Sequence, residues 1–394
     1  MTGKRVLLAA EVMRGGATAA RLLPLAAALA GRGHDVTLAL PAELTASVAS
    51  AGLPVVDAPR WTVPPPPGFT AVSYADLLMH SGYATPDTLR GLMADWRGVL
   101  DRATPDLLIA DFAPTAMLAA RAAGIVTAAV GDGYSLPPLT VPLPGMRPWA
   151  DVPADDADSV EGRVLAVINA RLGAMGCRDL RRLRDLFADV ACFLCTFPEL
   201  DHYPVRPGAA PYGEVFAPSS GPAAAWPMGS GERLYVELDP RHPTLDALVT
   251  ALDRLGLPTV VQGADMPVRL ADTIERATIQ VTASANRAAL LAGCDIVVCQ
   301  GRDVAVQALL AGKPLLMVPV FVEQMMTLHR VATQRLGHGI EPTADAAAVD
   351  AAVRRLVDDR ACRRRAVNFA RLYDGYQPDI AIEAVADAID EMLA

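Results

Sequence analysis

Carboxylates that could take up a proton follow several apolar segments in the first half of the chain. Asp111 comes directly after residues 107–110, and Glu11 and Asp132 stand at the ends of two other predicted strands. A carboxylate can act as a general base when its pKa is tuned and the substrate lies within hydrogen-bond reach. Asp111 is equally suited to capping the helix predicted to begin after it, so both roles stay open at this point.

A second set of residues suited to ligand binding surrounds four consecutive prolines at positions 64–67. The prolines force an extended, non-helical segment. Aromatic and imidazole rings lie on both sides of this segment: Trp61, Phe69, Tyr74, His80 and Tyr83. Two interpretations are open, an aromatic wall of a pocket for an apolar ligand or a packed surface loop.

The elements that position these residues alternate between short β-branched strands and longer helical patterns, which predicts an α/β protein with buried parallel sheets. The first series of strands is predicted at 5–9, 35–40, 55–57, 107–110, 126–130 and 190–195. The second series is predicted at 234–238, 259–262, 279–281, 296–299 and 315–318. Two helical patterns, 346–373 and 380–393, end the chain.

The division into domains follows from a stretch rich in Pro, Gly, Ser and Ala in which apolar periodicity disappears. We expect a Rossmann-like domain over 1–215, a linker over 216–231 and a second Rossmann-like domain over 232–373. Residues 374–394 form a last helix, and whether it returns to the first domain is left open. Such a pair of domains is expected to leave a cleft where strand ends from both converge.

Charge and hydropathy exclude several classes of partner. The 394 residues carry a formal net charge of −9, which disfavours nucleic acid and anionic membranes as ligands. The longest apolar stretches fall well short of the ~20 residues that a membrane helix needs. The first residues do not read as a secretory signal, so we expect a cytoplasmic protein.

Four segments, in this order, resemble glycosyltransferase family 1, the nucleotide-sugar-dependent enzymes with the GT-B fold. They are residues 21–37 (RLLPLAAALAGRGHDVT), 105–112 (PDLLIADF), 308–314 (ALLAGKP) and 319–324 (PVFVEQ). The chain is most similar to bacterial members that glycosylate hydrophobic natural products. The resemblance implies two Rossmann-like domains facing across a cleft, with the acceptor on the first domain and a UDP- or dTDP-sugar on the second. It also implies an inverting displacement at the anomeric carbon.

The resemblance assigns the catalytic base to a histidine that this chain lacks. Where the family has Gly-His ahead of the first helix, this chain has Ala17 and Thr18. A threonine hydroxyl is too weak an acid or base to carry a proton at neutral pH. The family's aspartate partner of that histidine matches Asp111, which we expect to act as base directly or through a water held by Thr18.

The donor site implied by the resemblance is also altered. Of the family's glycine-rich loop only Gly301 remains, followed by Arg302, and either Gln300 or Cys299 replaces the histidine, depending on where a one-residue gap is placed. Gln307 stands where the ribose-binding glutamate is expected. Arg302 could bind a phosphate with two hydrogen bonds, whereas Asp303 either opposes an anion there or caps the helix.

One donor feature is intact, because Glu323 and Gln324 match the pair that binds the sugar hydroxyls in the family. They also begin a predicted helix, so capping is the alternative role. No Asp-x-Asp pair lies in this region, and no metal is expected.

Two functional hypotheses of different class follow. In the first, the chain transfers a sugar from a nucleotide diphosphate sugar to a hydrophobic small molecule, with no permanently bound cofactor. In the second, it is a catalytically inactive GT-B homologue that binds a ligand or a protein. The sequence leaves open whether it forms a homodimer or binds a partner from its pathway.

Overall fold

The computed structural model describes residues 3–12, 17–48, 52–64, 66, 69–150, 154–206, 208, 210–217, 219–270 and 278–394, without the side chains of 17–18, 45–47, 154–158 and 267. The chain divides into two compact units. Unit 1 comprises Met1–Ala217 with Gln377–Ala394, and unit 2 comprises Pro218–Tyr376. The described residues between Asp201 and Arg233 form neither helix nor strand.

Unit 1 is built on a six-stranded sheet with every strand parallel and the order β3-β2-β1-β4-β5-β6. Its strands are β1 (Arg5–Ala10), β2 (Asp35–Leu40), β3 (Val55–Asp57), β4 (Leu107–Asp111), β5 (Val126–Gly131) and β6 (Ala191–Leu194). Its helices are α1 (Ala17–Gly31), α2 (Ala42–Val48), α3 (Tyr74–Leu78), α4 (Pro86–Ala103), α5 (Pro114–Ala123) and α6 (Ala154–Ala174). The central strands β1 and β4 are mostly apolar and buried, apart from the exposed Arg5 and the buried Asp111, because helices cover both faces of the sheet.

Unit 2 repeats this topology, since its strand order β12-β11-β10-β7-β8-β9 is the order of unit 1 read from the other edge. Its strands are β7 (Leu234–Glu237), β8 (Thr259–Gln262), β9 (Ile279–Thr282), β10 (Ile296–Cys299), β11 (Leu315–Met317) and β12 (Gly337–Gly339). Its helices are α7 (Leu245–Leu255), α8 (Met266–Arg269), α9 (Arg287–Gly293), α10 (Arg302–Leu310), α11 (Val322–Thr333), α12 (Ala346–Asp358) and α13 (Arg360–Leu372). The predicted α/β class with two Rossmann-like sheets is confirmed.

The last helix, α14 (Pro378–Leu393), belongs to unit 1. Ile382, Val385 and Ile389 recur at the spacing of one helix face and join the same apolar core as Leu22 and Leu29 of α1. At the surface Arg32 forms an ion pair with Asp390 at 2.7 Å. Unit 1 is therefore assembled from both ends of the chain.

Two sequence predictions about elements are wrong or incomplete. The single helix predicted over 346–373 is two helices, because Asp359 leaves the helical conformation and its side chain accepts the N–H of Cys362 to cap α13. Strand β12, a Gly-His-Gly segment, was not predicted. None of the described helices is both long and apolar enough to cross a bilayer.

Candidate functional site

Each sheet has a point at which the strand order reverses, and ligands of doubly wound folds bind beyond the carboxyl ends of the strands there. In unit 1 that point lies between β1 and β4, which pair with Ala10 opposite Asp111. In unit 2 it lies between β7 and β10, with Cys299 opposite Glu237. The residues that follow these four strands are therefore the structural candidates for binding.

Asp111 forms a buried ion pair that the sequence did not reveal. Its two oxygens accept from Nε and Nη2 of Arg21 at 2.9 and 3.1 Å, and its side chain is completely buried. Burial raises the pKa of Asp111, and the Arg21 guanidinium offsets only part of this rise. Burial works against the charge of Arg21, but Asp111 and Asp132 outweigh it and raise its pKa. Asp111 thus has both oxygens engaged by one cation.

The interpretation of Asp111 as a helix cap is wrong, because Glu11 performs that function. The N–H of Thr115 in the first turn of α5 donates to Oε2 of Glu11 at 2.9 Å, whereas Ala113 before the helix contributes no side-chain cap. Glu11 reaches this helix because β1 and β4 are neighbours, so the end of β1 lies beside the start of α5.

Glu11 is also the carboxylate whose ionisation the fold perturbs most clearly. Burial raises the pKa of Glu11 to about 7, and the polar groups of Thr115 and Trp96 offset only part of this effect. Its second oxygen, Oε1, is buried and accepts no well-aligned hydrogen bond from the described residues. A carboxyl group that titrates near neutral pH is suited to general acid–base chemistry.

Two further predicted residues, Thr18 and Asp132, lie at this edge of the sheet. Thr18 lies in the first turn of α1, and its side chain is outside the described part of the chain. Asp132 follows β5, is buried, and accepts the N–H of Tyr134 at 2.9 Å. The Nδ1 of His202 lies 3.9 Å from its Oδ1, and Arg21 lies 3.7 Å from its Oδ2.

The structure separates the five predicted acceptor-binding residues into two groups. Tyr74 and Tyr83 are buried in the core, where the Tyr83 hydroxyl bonds to that of Thr115 at 2.9 Å. Phe69 and His80 are half-buried, and their ring centroids lie 3.7 Å apart. Trp61 is also half-buried, and it lies beside the turn at Gly82. The half-buried rings, and not the two tyrosines, retain surface that a ligand could touch.

A separate apolar cavity of about 400 Å³ lies in unit 1 near the ends of β5 and β6. None of the five predicted aromatic residues lines it. Its walls are Leu136, Pro137, Pro138, Leu139, Thr140, Phe187, Cys192, Leu194, Arg206 and Gly208. Nε of Arg206 forms an ion pair with Oδ2 of Asp201 at 2.8 Å, which neutralises the one charged side chain among the described residues of the cavity wall. The cavity therefore suits an uncharged, apolar ligand.

In unit 2 the reversal point is occupied by an ion network around Arg287 of α9. Its guanidinium bonds to both oxygens of Glu237 at 2.7 and 3.1 Å and to Oδ2 of Asp303 at 2.7 Å. Burial disfavours its charge, but Glu237 and Asp303 more than compensate and raise its pKa. Oδ1 of Asp303 accepts from Gln307 at 2.8 Å, and the Tyr235 hydroxyl donates a short hydrogen bond to Glu237.

The predicted phosphate loop connects β10 to α10. Gly301 is the N-cap of α10, and a Cβ placed there would meet no atom within 4 Å, so its backbone borders open space. Gln300 accepts the N–H of Asp239 at 2.9 Å and ties this loop to the one after β7. Arg302 opens α10 and is 4% exposed. Asp303 is not the cap, because its carboxylate is held by Arg287 and Gln307.

Glu323 and Gln324 lie in the first turn of α11. The capping role of Gln324 is confirmed, since its Oε1 accepts the N–H groups of Val320 at 2.7 Å and Phe321 at 3.3 Å. Glu323 is half-buried and accepts from the Thr327 hydroxyl at 3.3 Å.

His242, in the loop after β7, is held neutral by its neighbours. Its Nδ1 accepts the N–H of Thr244 at 3.1 Å, so Nε2 carries the proton and donates to the carbonyl of Val318 at 2.9 Å. Burial lowers its pKa. These two hydrogen bonds give His242 a structural role in joining the loops after β7 and β11.

One group of side chains within the described ranges has the composition of a metal site: His338, Asp359 and Cys362. Asp359 already bonds to His338 at 3.0 Å and caps α13. Burial raises the pKa of the Cys362 thiol to about 11, which keeps it protonated. The present hydrogen bonds account for this group, and we assign it no metal.

Comparison with solved structures places this fold among glycosyltransferases. The crystal structure of CalG4, the calicheamicin glycosyltransferase, matches with a TM-score of 0.71 and 19% identity, covering 100% of this chain and 99% of that one. SsfS6 from Streptomyces sp. SF2575, complexed with thymidine diphosphate, matches with a TM-score of 0.64 and 19% identity over 98% and 99%. VinC in complex with dTDP matches with a TM-score of 0.66 and 17% identity over 98% of each chain.

The chain therefore has a GT-B glycosyltransferase-like fold, and the resemblance stated from its sequence is confirmed. No protein-family model and no curated protein sequence matches the chain. At identities below 20% the likeness defines the fold, and the activity has to be argued from the site.

The sequence identified candidate carboxylates such as Asp111, but it did not identify the arginines that form ion pairs with them. Arg21 and Arg287 organise the two sites, yet Arg21 is 90 positions from Asp111, and Arg287 is 50 positions from Glu237 and 16 from Asp303. One signal was present for Arg21, since an arginine directly before Leu22-Leu23-Pro24 stands in an otherwise apolar helix. A buried arginine requires a buried carboxylate, and Asp111 was a candidate for it.

Proposed function

We propose that this chain is an inverting glycosyltransferase that moves a sugar from a nucleotide diphosphate sugar to a hydroxyl of a hydrophobic small molecule. The observation that carries the proposal is the match of the whole chain to natural-product glycosyltransferases at TM-scores of 0.62 to 0.71. Two of the matched structures hold thymidine diphosphate. We extend that ligand class to this chain as UDP- or dTDP-sugar.

The donor is proposed to bind in unit 2 beside the N-terminus of α10. The open space next to Gly301 and the N-terminus of α10 suit a diphosphate. Arg287 supports this placement, because it offsets the negative charges of Glu237 and Asp303 that would otherwise repel the donor. Arg302 and Gln307 are assigned to the phosphate and ribose side, and Glu323 and Gln324 to the sugar.

The acceptor is proposed to be apolar and to bind in unit 1. The half-buried surfaces of Trp61, Phe69 and His80 and the apolar cavity of about 400 Å³ support this class of acceptor. Tyr74 and Tyr83 stabilise the wall from behind, since their side chains are buried.

In the displacement, the acceptor oxygen forms a bond to the anomeric carbon, and the bond from that carbon to the diphosphate breaks. The diphosphate leaves with the electron pair, and a base takes the hydroxyl proton. We assign the final proton acceptor to Glu11, whose pKa burial raises to about 7. Because its Oε1 is buried, the proton is proposed to reach it through a water. Asp111 is assigned a positioning role through Arg21, and Thr18 remains the candidate for holding a water.

The test is a transfer assay with dTDP- and UDP-sugars and apolar polyketide-like alcohols, with the product anomer determined by NMR. We expect Glu11→Gln to lower kcat by 10²-fold or more. The variant still offers Thr115 an acceptor oxygen, so the cap of α5 is retained. Thr18→Ala and Asp111→Asn are measured beside it.

The outcomes separate the assignments. Unchanged kcat in Glu11→Gln removes Glu11 as the base, and loss of kcat in Thr18→Ala alone assigns that step to a bound water. Retention of the sugar's anomeric configuration overturns the inverting mechanism. Absence of binding to every nucleotide diphosphate in calorimetry overturns the transferase proposal as a whole.

A further inference from the structure

A groove of about 790 Å³ in unit 2 is lined by six arginines. Five of them are exposed, and no ion pair or hydrogen bond to an acidic group is found for any of these five among the described residues. The five are Arg335, Arg360, Arg364, Arg365 and Arg371. In a protein of net charge −9 this is a strong local concentration of positive charge.

Other helices of the same chain show what an ordinary solvated arginine face is like. In α4, Arg90 pairs with Asp87 and Arg97 with Asp101, each within one turn. In α12, Arg354 pairs with Asp350. Helix α13 has the sequence RACRRRAVNFARL, which contains no acidic residue. Its arginines repel one another at spacings of three and four residues, and such repulsion destabilises a helix.

The sixth arginine provides an independent observation. Nη1 of Arg363 donates to Glu232 at 2.9 Å, but its Nη2 is buried and finds no acceptor within the described ranges. A buried donor without an acceptor is unfavourable, and more so in a charged group. Arg335 adds a residue with φ of 55°, an unfavourable conformation for a side chain with a Cβ. An anion bound in the groove would relieve the repulsion among its exposed arginines.

The position of the groove separates it from the donor site. Arg335 precedes β12, and the partner of Arg363, Glu232, precedes β7. Both therefore lie at the amino edge of the parallel sheet. Gln300 and Gly301 follow β10 and lie at the carboxyl edge. The two sites occupy opposite ends of the strands of unit 2.

We propose that this groove binds an anion with two or more linked phosphoryl groups. Each guanidinium presents a planar fork of N–H donors that matches phosphate oxygens with two hydrogen bonds. Arg360, Arg364 and Arg371 follow one face of α13 over about 17 Å, which suits an extended chain of charges. The groove, of about 790 Å³, has room for a small molecule.

The test measures binding of tripolyphosphate by isothermal titration calorimetry, and assigns to the groove the site whose affinity is unchanged in Arg302→Gln, a substitution in the proposed donor site. We expect one site whose affinity falls as salt rises. Arg364→Gln combined with Arg371→Gln should weaken it at least tenfold. The matched control combines Arg90→Gln with Arg254→Gln, which changes the net charge equally outside the groove and should alter the dissociation constant less than twofold.

Additional ligands in the same titration distinguish a free phosphate chain from a nucleotide, and three results would overturn the proposal. ATP binding no tighter than tripolyphosphate indicates a free condensed phosphate, and tighter ATP binding indicates a nucleotide. Equal weakening in the control double variant, or no binding at 50 mM salt, overturns the proposal. A poly-glutamate peptide binding more tightly than tripolyphosphate overturns it in favour of an acidic protein segment. Because dTDP affinity is recorded in the same variants, failure here is distinguishable from failure of the transferase proposal.

Discussion

Glu11 combines two demands on one side chain, since it must cap α5 and must be buried to do so. The chain satisfies the Thr115 N–H in this way but leaves a carboxyl group in an environment that disfavours its charge. Its ordinary pKa is 4.5, and the folded protein raises it to about 7. This difference has consequences for stability as well as for proton transfer.

We predict that Glu11 makes the protein less stable as pH rises. The folded state binds the Glu11 proton more tightly than the unfolded state does. The stabilisation that this proton gives the folded state is therefore fully present below pH 4.5 and is lost as pH rises through 7. The loss is roughly 3 kcal/mol of unfolding free energy. Urea denaturation of the wild type and of Glu11→Gln at pH 5 and pH 8 measures it as the difference between the two proteins. An equal pH dependence in both would contradict the burial of this group.

The Asp111–Arg21 pair gives a second prediction at this scale. Asp111→Asn removes one charge of a buried bidentate pair and leaves the more distant Asp132 as the ion-pair partner of Arg21 among the described residues, so we expect a loss of about 3–5 kcal/mol. Thermal unfolding followed by circular dichroism measures the loss. Asp106→Asn is the control, because its pairing with Arg5 at 3.4 Å is solvent-exposed and should change stability by less than about 1 kcal/mol.

Among the elements, strands were the easiest to predict from sequence. Four of them, 35–40, 55–57, 259–262 and 296–299, have the predicted bounds, because β-branched apolar runs between polar residues leave little freedom. Strand β12 could not be found this way, since Gly-His-Gly lacks that pattern and pairs only because β11 offers an edge. The division of 346–373 depends on one capping carboxylate, Asp359, which apolar periodicity does not detect.

The candidate site was less predictable than the sheets, for a physical reason. Periodicity reports which face of an element is buried, so it placed Asp111 at a strand end. Whether a carboxylate there is free or paired depends on a side chain from another element, as Arg21 shows. The same limit applies to Tyr74 and Tyr83, whose ring type suits either a core or a pocket and whose burial only the packing decides.

Helix α14 supplies the element-scale prediction. Ile389 is completely buried in the core of unit 1, whereas Ile380 on the same helix is 66% exposed. Ile389→Ala should cost about 2–5 kcal/mol through lost burial and the cavity left behind. Ile380→Ala, the matched control, should change stability by less than about 0.5 kcal/mol. Chemical denaturation of both variants measures the loss of unfolding free energy in each. Equal losses would contradict the packing of α14 against unit 1.

For the whole molecule, two units of identical topology carry different candidate roles, and nucleotide binding should distinguish them. With dTDP at a hundred times its dissociation constant, we expect about 2.7 kcal/mol of added stability. Hydrogen exchange should slow at the amides of 237–241 and 300–305 in unit 2 and leave β2 of unit 1 unchanged. Protection confined to unit 1 would contradict the placement of the donor.

The membership of α14 in unit 1 also sets an order on biosynthesis. The ribosome makes residues 1–217, then all of unit 2, and only afterwards Ile382, Val385 and Ile389, which complete the first apolar core. The nascent first unit must therefore wait with part of that core uncovered while the second unit emerges and can fold. Slow translation of the region between 218 and 376 should lengthen this exposure and increase the dependence of the chain on chaperones.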